Sequence, residues 1–370
     1  MCIVAQSIIN KKQEKGKTKM KKLFSLVLAL CMVFALCACG NSAQPAATET
    51  PAPVESAPVE EAPAEKTALS LATVCAAGTP TDLTCLKFQQ ILNESGLFDI
   101  TYYGQSQYGS VADMMENILG DDNLIAIASP ADIGDAAGVG DLSALMTPFL
   151  CDDPREIRAI TESDWFAALA DQCYAKNIKI VNCDFIEGTR YFWTTKKVVE
   201  PSDMAGLKFR VPGSANYVNT FTAFGATPVT IAVGDLYTAL QNGTADAFEF
   251  PLADAYAWQL NEVSKYVANQ NYVSGFTGLI ISANVWETLT PEQQTVINDA
   301  AKECSEFCFD TFDEKTAEAK QLLVDAGIEF YDINVDAYKA CVDEYFNLST
   351  FSDGTQEALD SLMTAYRANH

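Results

Sequence analysis

Histidine is nearly absent from this chain: of 370 residues only the last, His370, is one. Without an internal imidazole, Ser-His-Asp and Cys-His catalysis, His-Glu-x-x-His zinc proteases and Cys2His2 zinc sites are all excluded. Arginine is scarce too, with Arg155, Arg158, Arg190, Arg210 and Arg367 making up the whole set. Lysine and arginine together number 24 against 49 acidic residues, a formal charge of -25. Such a chain has no basic face to release counterions from a phosphate backbone, so no nucleic-acid partner is expected. There is no Cys-x-x-Cys pair and no glycine-rich phosphate loop. What remains is ordinary globular material: 49% hydrophobic and 20% charged residues exclude wholesale disorder and suit one large or two average domains.

The longest apolar run is also too short to span a bilayer comfortably. Lys21-Lys22 precede the 16-residue stretch Leu23 to Ala38, which ends in Leu36-Cys37-Ala38-Cys39-Gly40. A charged start and a short hydrophobic core read as a secretory signal peptide, residues 1–38, rather than a membrane span. The Leu-x-Ala-Cys ending resembles a bacterial lipobox, which implies that Cys39 receives a diacylglycerol and becomes the mature N-terminus; the alternative is an ordinary signal peptide with an incidental cysteine. Met20 offers a second start directly before Lys21-Lys22, which would leave 1–19 outside the protein. After Cys39, residues 40–66 hold five Pro, seven Ala and five Glu with no aromatic, a composition that cannot bury enough surface to order itself. Residues 39–66 are therefore expected to be a lipid-anchored linker. Residues 1–38 carry seven Lys and one Glu, so cleavage leaves 17 basic and 48 acidic side chains, a net of -31. The expected location is extracytoplasmic, on the outer face of the cell membrane.

Eight cysteines follow the anchor: Cys75, Cys85, Cys151, Cys173, Cys183, Cys304, Cys308 and Cys341. Cys304 and Cys308 stand one helical turn apart, but no histidine accompanies them. Small buried hydrophobes are the favoured reading over a metal site, and pairing after export stays open. No cofactor or metal is expected.

From Thr67 the texture alternates between strand and helix. Ala68–Val74, Phe98–Tyr103 and Leu124–Ala128 read as strands, separated by helical Leu83–Leu92 and Val111–Leu119. A second run begins at Ile178 and continues through 190–194, 207–211 and 247–250. Two such blocks predict an α/β chain of two lobes with a cleft between them, built on parallel strands whose carboxyl ends face the ligand. Thr290-Pro291-Glu292-Gln293 supplies an N-cap, a proline at N1 and a capping-box glutamine, and the helix they open persists to about Asp325. A helix of that length could span both lobes.

Two of the five arginines fall where a ligand would be. In Leu207-Lys208-Phe209-Arg210-Val211-Pro212-Gly213 the apolar residues share one strand face, and Arg210 projects from the other at the last turn before Pro-Gly. A guanidinium presents a planar fork that receives a carboxylate through two charge-assisted hydrogen bonds. The competing reading is a surface arginine paired with one of the many acidic side chains. Arg190, in Glu187-Gly188-Thr189-Arg190-Tyr191-Phe192-Trp193, is either a second cation of the cleft or a cation packed on Trp193 or Tyr191.

The residues at this point carry a resemblance. The runs Glu200-Pro201-Ser202-Asp203-Met204-Ala205-Gly206-Leu207-Lys208-Phe209-Arg210-Val211-Pro212, Ala223-Phe224-Gly225-Ala226-Thr227-Pro228-Val229, Leu236 to Gly243 and Asp246 to Pro251 are similar to the extracytoplasmic solute-binding proteins, of the DctP type, that serve tripartite ATP-independent periplasmic (TRAP) transporters. Gln107-Tyr108-Gly109, Leu145 to Leu150 and Trp286 to Glu292 resemble further segments of that family in the same order, so the similarity covers roughly residues 67–345.

The resemblance implies a periplasmic-binding-protein-like fold of two α/β lobes, with a first lobe of 67–187 plus 276–315 and a second of 188–275 plus 316–370. It places Arg210 on the family's ligand-carboxylate arginine and Arg190 on a second arginine of many members. Ser129 matches a pocket-lining position of the first lobe, and Phe250 a position often held by Asn or Trp. Ala247 stands where Gly is usual and Asp235 where Glu is usual, so the substrate is not copied from sialic-acid or C4-dicarboxylate relatives. Phe250 with Trp193 and Tyr237 hints at an apolar or aromatic part of the ligand; the alternative for Tyr237 is helix packing. The implied function is capture of a small organic acid and delivery to a permease of a small and a large membrane subunit, without catalysis. The alternatives are an extracytoplasmic enzyme acting on organic acids through a Cys, with Cys75 as a candidate, or a carboxylate pair, and a sensory lipoprotein.

Overall fold

The computed structural model describes residues 66–369. The signal peptide, Cys39 and all of the linker but Lys66 lie outside the described residues. Ten strands form one mixed sheet: β1 (Thr67–Ala72), β2 (Phe98–Tyr103), β3 (Leu124–Ala128), β4 (Ile178–Thr194), β5 (Lys208–Val211), β6 (Thr227–Thr230), β7 (Ala247–Pro251), β8 (Tyr266–Ala268), β9 (Val273–Ser282) and β10 (Glu329–Tyr331). The order across the sheet is β2-β1-β3-β9-β4-β7-β5-β6, with β8 pairing both β4 and β10. The helices that matter for the site are α1 (Pro80–Glu94), α2 (Val111–Leu119), α3 (Pro130–Ala137), α4 (Ala215–Ala223), α5 (Leu252–Ala257), α6 (Pro291–Asp325) and α7 (Thr355–Arg367).

The outer strands pair in parallel, β2 with β1, β1 with β3, β7 with β5 and β5 with β6. Through the middle the sheet is antiparallel, β3 to β9, β9 to β4 and β4 to β7. The expectation of wholly parallel strands is corrected here, and the reason is the chain path: β4 and β9 carry the backbone between the lobes in opposite directions. The stretches 178–182 and 190–194, read from sequence as separate strands, are one 17-residue strand. Register shifts between Ile180 and Asn182, between Asn182 and Phe185 and between Ile186 and Gly188 bend it as it crosses. At the crossing the backbones pack so closely that a Cβ on Gly275 would stand 2.8 Å from the Gly188 carbonyl oxygen and 3.2 Å from Cδ of Arg190.

The two lobes have different cores. The first is mainly aliphatic, with Leu69, Leu71, Ile125, Leu279 and Ile281 among its buried residues and α1 and α6 packed over it. The second centres on rings: Phe192 stacks on Tyr272 at 5.2 Å between centroids and Phe209 on Phe221 at 3.8 Å, with Phe224 and Tyr338 closing the cluster. A smaller cluster behind it holds Trp193, Leu236, Phe248 and Leu323. The 35-residue α6 opens with the capping box read from sequence, Thr290 and Gln293 bonding reciprocally. It gives Ile297, Ala301, Cys304 and Phe312 to the first core and Ala319 and Leu323 to the cluster beside the second, so one rigid element spans both lobes.

The end of the chain departs from the expected division. Leu359 and Met363 of α7 are buried in the first core, although 316–370 was assigned to the second lobe. An amphipathic helix goes where its apolar stripe finds cover, and chain order does not report that. Seven of the eight described cysteines are buried and Cys341 is half-buried; all are free thiols. No described helix is long and apolar enough to cross a membrane.

Candidate functional site

Parallel strands leave their carboxyl ends at a common level, and here those ends open into a cavity of about 710 Å³. Thr73 and Cys75 after β1, and Ala128 and Ser129 at the end of β3, line one wall; Arg210 and Ser214 from the end of β5 line the other. Arg190 and Glu187 reach it from the crossing segment of β4, and Phe250, Asp254 and Trp258 from the end of β7 and the helix that follows.

The two arginines flank one buried carboxylate. Glu249 sits on β7 between β4 and β5, is wholly buried, and receives the Arg190 Nε, the Arg190 Nη2 at 2.9 Å and the Tyr272 hydroxyl at 3.2 Å. Arg190 also donates its Nη1 to Glu187. Its guanidinium carbon lies 5.5 Å from the ring centres of both Tyr217 and Phe250. Burial opposes the charge of Arg190, but Glu187 and Glu249 outweigh it and raise its pKa well above the ordinary value.

Arg210 is placed differently. It is 2% exposed, yet only its Nε has a hydrogen-bond acceptor, the carbonyl of Ile231 at 2.8 Å. Its Nη1 stands 3.8 Å from Glu249, near enough for attraction and too far for a hydrogen bond, and is a buried donor with no partner. Burial is the main force on this group and, with Arg190 nearby, pushes its pKa down to about 10 against the pull of Glu249. The cation persists at neutral pH and is under-compensated. A buried donor left unpaired costs about 1–3 kcal/mol, more for a charged group, so an anion reaching Nη1 recovers that loss.

Of the other residues singled out from sequence, Ser129 and Phe250 line the cavity. The Ser129 hydroxyl caps α3, donating to Asp132 Oδ2 at 2.6 Å and accepting from its backbone N–H at 3.1 Å. Trp193 and Tyr237 do not line it. Trp193 is fully buried, stacked on Phe248 at 5.5 Å, with its indole N–H donated to the Phe250 carbonyl at 3.1 Å. The Tyr237 hydroxyl donates to Glu262 at 2.8 Å on the outside of the lobe. The sequence groups both with Phe250 as aromatic residues, but a strand or helix sends neighbouring residues to opposite faces, and Tyr237 packs against the Trp193 cluster, the helix-packing alternative.

Several groups at the site were missed: Glu249 beneath the cavity wall, and Asp132, Asp254 and Trp258 in its lining. Glu249 had a readable signal, a lone charge inside the otherwise apolar strand Ala247–Pro251, all of it buried. Asp254 and Trp258 had none. Asp132, pushed up to about 6 by burial against the pull of Ser129, adds a carboxyl that titrates just below neutrality. Burial, Glu187 and Asp254 together raise the Cys75 thiol well above its usual range. A thiol held protonated in this way, beside a carboxylate and without an imidazole, is a poor nucleophile. Among the described residues no group of three or more His, Cys, Asp or Glu side chains is placed to hold a metal ion.

Residues 71–348 match the family described as bacterial extracellular solute-binding protein, family 7. The chain belongs to that family. It is 29% identical over 180 residues to a solute-binding protein of Roseobacter denitrificans, a match covering 49% of this chain and 55% of that one. It is 26% identical over 274 residues to the C4-dicarboxylate-binding periplasmic protein of Rhodobacter capsulatus, covering 72% and 81% of the two chains. The chain therefore spans about half of the first relative and most of the second. Among solved structures, a TRAP periplasmic solute-binding protein of Actinobacillus succinogenes with bound L-galactonate superposes with a TM-score of 0.77 at 26% identity, over 81% of this chain and all of that one. The two-lobed α/β fold and the extracytoplasmic solute-binding role thus come from family membership, and the cavity described above lies in the cleft of that fold.

Proposed function

We propose that this family member captures a small organic acid by seating its carboxylate on Arg210 and delivers it to a TRAP-type permease of a small and a large membrane subunit. The observation that carries the reading is that Arg210, on the cavity wall, keeps a buried Nη1 with no hydrogen-bond partner. The named relatives support it: one binds L-galactonate and another is named for C4-dicarboxylates, both carboxylates. Arg190 is a framework cation that fixes Glu249 and Glu187, and Phe250 supplies an apolar face beside it. Ser129 contributes the rim of the first lobe, through its cap on α3. Closure of the lobes excludes water, strengthens the Arg210–carboxylate pair and so favours the closed state that the permease receives. The raised thiol of Cys75, which donates to the Glu187 carboxylate and has no imidazole near it, supports binding without turnover.

The division of the described chain follows the cores: 67–187 with 276–315 build the first lobe and 188–275 the second, with 316–370 shared between them. Residues 1–38 serve as signal peptide and Cys39 as the lipid attachment that tethers the receptor to the outer face of the membrane. Mass spectrometry of the mature N-terminus tests the anchor: a diacylglycerol mass on Cys39 supports it, and an unmodified cut elsewhere refutes it. The function is tested by denaturing the purified chain and identifying co-purified acids, with a thermal-shift screen of organic acids alongside. An acid held at a hundred times its dissociation constant adds about 2.7 kcal/mol of stability. A screen in which sugars and amines stabilise the protein and no acid does would remove the proposal.

A further inference from the structure

We propose that Asp254 and Trp258 form a second recognition point in the cavity, one that holds a ligand hydroxyl and so selects hydroxylated acids over plain dicarboxylates and over amino acids. The inference rests on the carboxylate reading of Arg210 and adds what the rest of the ligand must be.

Three cavity-lining residues carry buried polar atoms with no hydrogen-bond partner: Arg210 at Nη1, Asp254 at Oδ2 and Trp258 at Nε1. The first takes the carboxylate. The other two belong together, because α5 ends at Trp258 and the Trp258 backbone N–H donates to the Asp254 carbonyl at 2.8 Å. Residues four apart on a helix share a face, and both side chains line the same cavity. Asp254 is 1% exposed and its carboxyl also takes the backbone N–H of Ala76 from the opposite lobe. A carboxyl this deeply buried with one oxygen unsatisfied is costly unless something is meant to meet it.

The chemistry of the pair decides what meets it. The indole offers a donor only, and the carboxyl oxygen, beside Glu187, is first an acceptor. An ammonium would satisfy Asp254 and leave Trp258 unpaired. A second carboxylate would satisfy Trp258 and confront Glu187, which also lines the cavity, with like charge. A hydroxyl gives one hydrogen bond and accepts others, so one hydroxyl or two neighbouring ones serve both atoms. Burial, with Glu187 adding to it, also pushes Asp254 well above the usual carboxylate range; a protonated Asp254 still finds an acceptor in a hydroxyl oxygen. The ligand that fits has a carboxylate at one end and at least one hydroxyl towards the other.

The test is calorimetric titration of the full chain, stripped of co-purified solute, with chain-length pairs: L-galactonate against hexanoate, and glycerate against propionate, with succinate and L-glutamate as further probes. The hydroxylated member of at least one pair should bind about tenfold or more tightly than its partner and than succinate or glutamate, the worth of a hydrogen bond to a charged group. Asp254→Asn and Trp258→Phe should each erase most of that preference while leaving the weaker partner's affinity unchanged. Asp254→Asn keeps the size and shape of the side chain and is expected to fold, which its thermal midpoint checks; the wild-type selectivity stands as a readout apart from either variant. Tighter binding of succinate, glutamate or the unhydroxylated acids would overturn the inference, as would variants that weaken both members of a pair alike. Arg210→Lys separates the two claims. If it leaves all acids unaffected, the carboxylate reading fails; if it weakens every acid while Asp254→Asn and Trp258→Phe leave the hydroxyl preference intact, only the present inference fails.

Discussion

Arg190 and Arg210 lie on strands separated by one, share the carboxylate of Glu249, and are both buried. Their roles divide on one difference. Arg190 spends its Nε and Nη2 on Glu249 and its Nη1 on Glu187, and two rings cover its guanidinium. Arg210 has one carbonyl on its Nε and, on Nη1, only the Glu249 carboxylate at 3.8 Å, with no hydrogen bond. A fully paired buried cation organises the strands around it; an incompletely paired one on a cavity wall is where a ligand's charge gains most. The proposed seat of the carboxylate on Arg210 therefore rests on the count of partners, and exposure does not enter.

The comparison breaks most visibly at the shared carboxylate. Glu249→Ala removes the group that both guanidinium ions lean on, and losing one partner of a buried ion pair costs about 3–5 kcal/mol. Denaturant unfolding should show a loss of that order, and a loss below about 1 kcal/mol would mean that the network is not structural. Arg210→Lys comes next. It keeps a charge and loses the fork, so affinity for the bound acid should fall about a hundredfold, or about 2.7 kcal/mol, with the thermal midpoint unchanged or higher. Arg190→Lys should do the reverse, lowering the midpoint more than the affinity.

The acid dependence sharpens the contrast at smaller scale. Asp132, with a pKa of about 6, has Ser129 and Asp135 beside it and Arg190 across the cavity. Its folded value is above the ordinary carboxylate value, so the folded chain holds that proton more tightly, and the stability from it falls as pH rises from about 4 through 6. An anionic ligand raises the value further, so binding takes up protons and affinity should drop two- to threefold, by order of magnitude, between about pH 5 and 7. Titration calorimetry in two buffers reads this as proton uptake, and proton release would contradict the sign. The smallest effect is expected at Tyr237→Phe, within about 0.5 kcal/mol in stability and without a change in affinity, since its hydroxyl meets only Glu262.

Much of the scaffold was legible in the sequence because it rests on local physics. The Thr290–Gln293 capping box, the alternation of 207–211 and the apolar run 124–128 each announce an element through its own residues. Arg210 was legible as a candidate from its place before Pro-Gly, and the neighbouring runs carried the family resemblance. What the sequence could not carry was pairing across the sheet. That Arg190 is spent on Glu249, 59 residues away, is a consequence of β7 lying between β4 and β5. Nor could the sequence say which face of its element carries Trp193 or Tyr237, or that the apolar stripe of the helix 355–367 returns to the first core.

The most direct measurement is a crystal structure of the protein with the acid that stabilises it most in a thermal-shift screen. The account predicts a ligand carboxylate oxygen about 2.7–2.9 Å from a terminal nitrogen of Arg210, with Arg190 still bound to Glu187 and Glu249. A carboxylate seated on Arg190 instead, with Arg210 untouched, would contradict it.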